Sequence, residues 1–149
     1  PVYLLNTALQ SVDNFGTAKS LKAKFPIDYQ FACKTGTTND LRDSWYAGFS
    51  GDLVGAVWVG RDDNKKAGLT GAGGAMQVWG DIFRRINPEP LVLYPTADTE
   101  MVLIDESNGL RASDSCENTV RVPFLRGNGP VRESPCVEKN KGFFERLFD

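Results

Sequence analysis

Histidine is absent from the 149 residues, and with it go Ser-His-Asp triads, Cys-His dyads and most zinc sites. Any catalysis has to draw on Lys, Ser, Thr, Tyr or carboxylates. The three cysteines form no Cys-x-x-Cys pair, which argues against a metal centre or a thioredoxin-like redox site. No Lys/Arg cluster marks a basic face, and the formal charge is only -2, so a sequence-independent nucleic-acid binder is not expected. No run reaches the roughly eighteen apolar residues of a membrane span, and no charged-then-apolar start suggests a signal peptide. Internal repeats and low-complexity tracts are also missing.

What remains is a chain with 41% hydrophobic residues, enough for one domain with a real core and a small appendage. It opens at Pro1 inside a helical pattern and without Met, so a longer parent protein is expected. Val2, Leu5, Leu9 and Val12, with Leu4 and Ala8 beside them, predict an amphipathic helix over residues 1–13. Tyr29–Thr35, Ser44–Ser50 and Leu53–Gly60 read as strands, the last two close enough for a hairpin. Arg61 to Lys66 and the glycines at 68, 71, 73 and 74 read as a polar, flexible connection. Ala75, Val78, Trp79, Ile82, Phe83 and Ile86 mark a helix that ends before Pro88. The expected fold is α/β of the α+β type, an antiparallel sheet flanked by helices.

Pro88 to Pro95 reads as a linker, giving residues 1–90 as one unit and 91–149 as linker and appendage. Met101–Ile104 and Thr119–Phe124 are expected as short strands. Cys116 and Cys136 flank a loop-rich stretch with Pro123, Gly127, Gly129, Pro130 and Pro135. A disulfide there would add about 3 kcal/mol in an oxidising compartment; two separate thiols fit the spacing equally. Phe143, Phe144, Leu147 and Phe148 would share one face of a short C-terminal helix packed on its own protein.

The residues with most chemical content are Lys34-Thr35-Gly36-Thr37-Thr38, at the end of the run Tyr29-Gln30-Phe31-Ala32-Cys33. Strand alternation sends Lys34 and Gly36 one way, Thr35 and Thr37 the other. At a sheet edge, free backbone groups can pair with an extended peptide, and Gly36 admits that backbone closely. Lys34 supplies positive charge, and the threonine hydroxyls can donate to a carboxylate. Other polar and aromatic residues have plainer readings. Arg42 and Asp43 suit a solvated turn, Trp45, Tyr46, Trp58 and Trp79 suit a core, and Asp62 with Asp63 suits a loop facing water. Cys33 is expected to be a small buried hydrophobe.

Lys-Thr-Gly is the third motif of the penicillin-recognising acyl transferases. Here it continues into Thr38-Asn39-Asp40-Leu41-Arg42-Asp43-Ser44-Trp45-Tyr46-Ala47-Gly48-Phe49, then Val57-Trp58-Val59-Gly60-Arg61-Asp62, then Thr70-Gly71-Ala72-Gly73-Gly74-Ala75. This succession resembles the C-terminal half of the transpeptidase domain of class A penicillin-binding proteins. It is most similar to the 1B type, because Gly16-Thr17-Ala18-Lys19-Ser20-Leu21 precedes the motif and a two-cysteine tail follows it. The resemblance covers residues 1–95, and the tail only by its cysteines and aromatic terminal helix.

The resemblance implies a penicillin-binding protein/serine β-lactamase-like fold, present as a C-terminal fragment with a small β appendage. It implies D-alanyl-D-alanine transpeptidation with no cofactor and no metal. Lys34 and Thr37 would be catalytic, and Thr35, Gly36, Thr37 and Thr38 substrate-binding. Partners would be peptidoglycan stem peptides, β-lactams, the N-terminal remainder of the same protein and cell-wall regulatory proteins, on the periplasmic side of an inner membrane. The family's Ser-x-x-Lys and Ser-x-Asn motifs are missing: no serine from Ser11 to Ser134 begins either, and Ser20 has lysines two and four residues on, not three. The chain alone is therefore expected to be inactive. The rival readings are a β-lactamase or D,D-carboxypeptidase fragment, and a non-catalytic module that binds cell-wall peptide or protein.

Overall fold

The computed structural model describes residues 1–14, 16–24 and 30–140; Tyr29 and the expected C-terminal aromatic helix lie outside them. The chain forms two compact units, Pro1–Tyr94 and Pro95–Asp149.

In the first unit, α1 (Val2–Asn14) is followed by a short 3-10 turn, Lys19–Lys24, and by β1 (Ala32–Thr37), β2 (Ser44–Phe49), β3 (Val54–Val59) and α2 (Ala75–Ile86). The strands form one antiparallel sheet in the order β1-β2-β3, with Gly36 opposite Trp45 and Thr37 opposite Ser44. Strand β2 lies between the other two because both of its connections are tight turns. Ser50 closes the second turn, its amide donating to the Leu53 carbonyl at 2.8 Å and its hydroxyl to Asp52 at 2.8 Å.

One sheet face carries Cys33, Tyr46 and Val57, and α2 packs there with Ala75, Met76, Trp79 and Phe83 to make the core, joined by Ala18, Leu21 and Phe31. Trp79 stacks on Phe83 at 3.6 Å between centroids and meets Phe31 edge-on at 5.1 Å. Its indole N–H donates to the Gly55 carbonyl at 3.1 Å. Helix α2 ends where Asn87 turns left-handed (φ 56°), its amide bonding the Phe83 carbonyl, ahead of Pro88.

The aromatic residues divide between the faces, contrary to the reading of all as core. Tyr46 and Trp79 are fully buried, but Trp45 and Trp58 keep 45% and 43% of their surface exposed. Alternation explains this: Trp45 and Trp58 pair across β2 and β3 on the face opposite α2. A second difference concerns Pro88–Pro95. Its first half is strapped to the first unit, the Glu89 carbonyl accepting from the Gly51 amide at 2.9 Å and the Leu91 amide donating to the Gln30 carbonyl at 3.0 Å. Gln10 of α1 also donates to the Leu91 carbonyl at 2.9 Å.

In the second unit, β4 (Thr99–Asp105) pairs antiparallel with β5 (Thr119–Leu125), and α3 (Pro135–Asn140) follows. A two-stranded sheet is marginal by itself. Here Arg111 bridges Ile104 and Glu133 and widens the sheet, while Cys116 and Cys136 are bonded with their Cα atoms 5.6 Å apart. The buried Asp105 carboxylate organises this end. It accepts from the Ser107 amide at 2.9 Å and hydroxyl at 2.6 Å, from Asn108 at 2.9 Å and from Ser134 at 2.5 Å.

Those bonds, the Ser107 hydroxyl first and Ser134 next, lower the Asp105 pKa to about 2. A carboxylate acidified on folding stabilises the fold above its unfolded pKa, near 3.9, and that contribution is lost as pH falls towards about 2. The stability of the second unit is expected to drop between about pH 4 and pH 2, and Asp105→Asn should flatten that slope in acid unfolding followed by circular dichroism. Alkylation without reductant should leave Cys116 and Cys136 unmodified in the intact mass. Reduction should cost about 3 kcal/mol in urea unfolding.

Candidate active-site wall

Strand β1 is an edge strand, hydrogen-bonded to β2 and to no other strand among the described residues. The Leu91 amide covers its outer edge near Gln30, before the Lys34–Thr37 stretch begins. Of the residues singled out from sequence, Lys34, Thr37 and Thr38 are exposed, and Thr35 and Gly36 are half-buried. Lys34 and Gly36 lie on the Trp45/Trp58 face, Thr35 and Thr37 on the α2 face, as the register requires.

The hydroxyls differ in what holds them. Thr35 shares a hydrogen bond of 2.8 Å with Thr17, which brings the Gly16–Leu21 segment to the motif. The Lys34 ammonium donates to the Thr35 carbonyl at 2.7 Å. Thr37 accepts from the Gly71 amide at 2.8 Å, so its oxygen is fixed while its own hydrogen stays available to a ligand. Thr38 is committed inward: its hydroxyl donates to Asp43 at 3.0 Å and accepts the Asp43 amide at 2.8 Å.

Asp43 is the centre of the β1–β2 turn. Its other carboxylate oxygen accepts from the Trp58 indole at 3.0 Å, so it is a structural acceptor, where the sequence had suggested a solvated charge. The partner expected in that turn, Arg42, lies 3.6 Å from Asp40 instead. Asp40 and Leu41 both take positive φ, 61° and 55°, and the Leu41 carbonyl receives the Ala67 and Gly68 amides at 3.0 Å. The turn is thereby tied to the connection before α2. Asp63 in that connection is clasped by Arg61 at 2.9 Å, which with Lys65 lowers its pKa to about 2.

Within the glycine-rich connection Gly71 and Gly74 are packed where the sequence suggested flexibility, while Gly68, at φ 75°, has open space around it. A Cβ on Gly71 would sit 2.7 Å from the Gly36 carbonyl oxygen and 2.8 Å from that of Trp45, so loop backbone lies directly against sheet backbone. Ser44, fully buried, donates to the Thr70 carbonyl and accepts the Ala75 amide, both at 2.8 Å. Sequence reasoning gave no role to Ser44, Gly71 or Thr17, and read Asp43 as a solvated turn charge. The signal available was the spacing of small residues in Thr70–Gly74. Cys33 is buried, and no group of His, Cys, Asp or Glu among the described residues could hold a metal ion.

No protein-family model matches the chain. Individual proteins do. A penicillin-binding protein 1B from Haemophilus influenzae is 38% identical over 122 residues, covering 82% of this chain and 15% of that protein. Its counterpart in Vibrio cholerae is 33% identical over 148 residues, 99% of this chain and 19% of that protein. The Escherichia coli protein is 41% identical over 103 residues, 69% of this chain and 12% of that protein. Among solved structures, penicillin-binding protein 1A from Haemophilus influenzae matches with a TM-score of 0.72 at 29% identity, over 88% of this chain and 21% of that one. The chain thus spans under a fifth of the length of these 1B relatives.

The tight packing at Gly71 makes a direct prediction. Gly71→Ala must displace the loop from β1, and the expected loss is about 1–3 kcal/mol, read as a lower urea midpoint with unchanged slope.

Proposed function

The chain belongs to the class A penicillin-binding proteins, as a segment of the 1B type, and on that premise we propose that it supplies one wall of a D-alanyl-D-alanine transpeptidase site. The observation that carries this reading is that Lys34–Thr37, with Lys34 and Thr37 exposed, lies on an edge of β1 that no other strand among the described residues covers. A stem peptide, or a β-lactam in its place, would lie along that edge. Thr35 and Thr37 would receive its carboxylate, Gly36 would admit its backbone, and the Thr37 amide would complete an oxyanion hole. Thr38 would serve this wall by fixing the turn through Asp43. Lys34 would add positive charge near the reacting serine.

That serine lies outside this chain, since Ser-x-x-Lys does not occur in it. In the proposed reaction the serine oxygen attacks the carbonyl of the penultimate D-alanine, and the peptide bond breaks to release the terminal D-alanine with a proton on its amine. An amine from a neighbouring stem then attacks the acyl ester, and the serine leaves with its proton restored. No cofactor takes part. The N-terminal remainder would carry the serine, the membrane anchor and a glycosyltransferase domain, on the periplasmic side of the inner membrane; among the described residues no helix is long and apolar enough to cross a membrane. The absent nucleophile favours one rival, a non-catalytic module that binds cell-wall peptide.

Fluorescent penicillin distinguishes them. The chain alone should take no label. Mixed with the N-terminal remainder, label should appear on the remainder only and fall at least tenfold with Lys34→Ala, roughly the loss of one charge-assisted bond. No label in a folded mixture supports the binding module, and label on this chain overturns the reading.

A further inference from the structure

Thr37 and Ser44 face each other across the β1–β2 register, and both side chains bond the same loop. Thr37 accepts the Gly71 amide. Ser44 holds the loop on either side of Gly71, at the Thr70 carbonyl and the Ala75 amide. The loop is braced further within itself. The Gly73 amide donates to the Thr70 hydroxyl at 3.0 Å, the Gly74 amide to the Thr70 carbonyl at 2.9 Å and the Met76 amide to the Gly71 carbonyl at 3.0 Å. Nothing larger than glycine fits at 71 or 74, since a Cβ at 74 would lie 2.6 Å from the Ser44 hydroxyl.

We propose that Ser44 is a positioning residue for carboxylate recognition: by seating the Thr70–Ala75 loop it aims the Gly71 amide at the Thr37 hydroxyl and so orients that hydroxyl to donate to a ligand carboxylate. This rests on the reading of the β1 edge as the wall of a penicillin-recognising site. A hydroxyl has one hydrogen to give. An amide donor held at its lone pair leaves that hydrogen pointing elsewhere, and each bond in such a chain polarises the next. Thr37 is exposed and Ser44 is fully buried, so Ser44 itself does not meet the ligand. It acts through two backbone groups, which explains why a polar side chain occupies a site otherwise enclosed by the core.

The test uses the full-length protein carrying this segment and a penicillin with its carboxylate free or methyl-esterified. Ser44→Ala should lower the acylation rate constant for the free acid about tenfold, through weaker binding and not a slower covalent step, a change of about 1.4 kcal/mol. It should leave the ester unchanged. In a Thr37→Val background, Ser44→Ala should have no further effect, and Thr37→Ser should keep the wild-type response. Thr70→Ala, exposed and missing only the Gly73 bond, should give a smaller loss of the same sign, and it serves if Ser44→Ala does not fold. Equal losses for acid and ester, or additive effects of Ser44→Ala and Thr37→Val, overturn the proposal while the transpeptidase reading stands. A wild-type protein that takes up no penicillin overturns both.

Discussion

The height of α2 above the sheet is set by one side chain. Trp79 lies flat against Phe83, edge-on to Phe31 and 5.1 Å from Tyr46, and the sheet makes room for it with glycines. A Cβ on Gly48 would lie 3.1 Å from the indole ring, and one on Gly55 would lie 3.0 Å from its nitrogen. Burying an aromatic of this size contributes roughly 2–3 kcal/mol, more with the ring contacts. Each hydrogen bond in the adjoining loop contributes about 1 kcal/mol. Aromatic packing therefore decides where the helix sits, and the polar contacts decide what its first turn does. With α2 this close, the Thr70–Gly74 loop has no space except against the backbones of β1 and β2, and only glycine at 71 permits that approach.

The consequence for the site is that Thr35, Thr37 and Thr38 are not three equivalent hydroxyls on one strand. Thr38 gives its hydrogen to a carboxylate, a bond stronger than a neutral one, so the turn takes it. Thr35 shares a bond with Thr17. Thr37 accepts the Gly71 amide from behind and, unlike Thr38, has no acceptor among the described residues for its own hydrogen. The difference comes from partners 5 to 34 residues away in sequence, not from the motif.

That distance is why the sequence disclosed some features and not others. Strands Ser44–Phe49 and Val54–Val59 were readable from their aromatic and β-branched residues and the turn between them, and Ala75–Ile86 from its 3.6-residue period, because these are features of the segment itself. The side of the sheet on which each aromatic falls was not readable: Trp45 and Tyr46 are neighbours, one exposed and one buried, and only the position of α2 separates them. The glycine run carried two opposite meanings, hinge or close approach, until the backbone beneath it was known. Asp43 looked like a solvated charge because its acceptors' partners, Thr38 and Trp58, are brought to it by the hairpin.

The face of the sheet opposite α2 bears on the proposed site. Lys34 and Gly36 share it with Trp45, Trp58 and Val54, the last 81% exposed. Two half-exposed indoles in water forgo about 1–2 kcal/mol each of burial, and the Trp58 bond to Asp43 fixes one of them at no gain from solvent. The motif lysine thus lies among half-exposed tryptophans, while Thr35 and Thr37 lie on the α2 face. Under the proposed reading the edge of β1 is one wall of a cleft, where a low dielectric makes the charge of Lys34 and the hydroxyl of Thr37 count for more than they do in water.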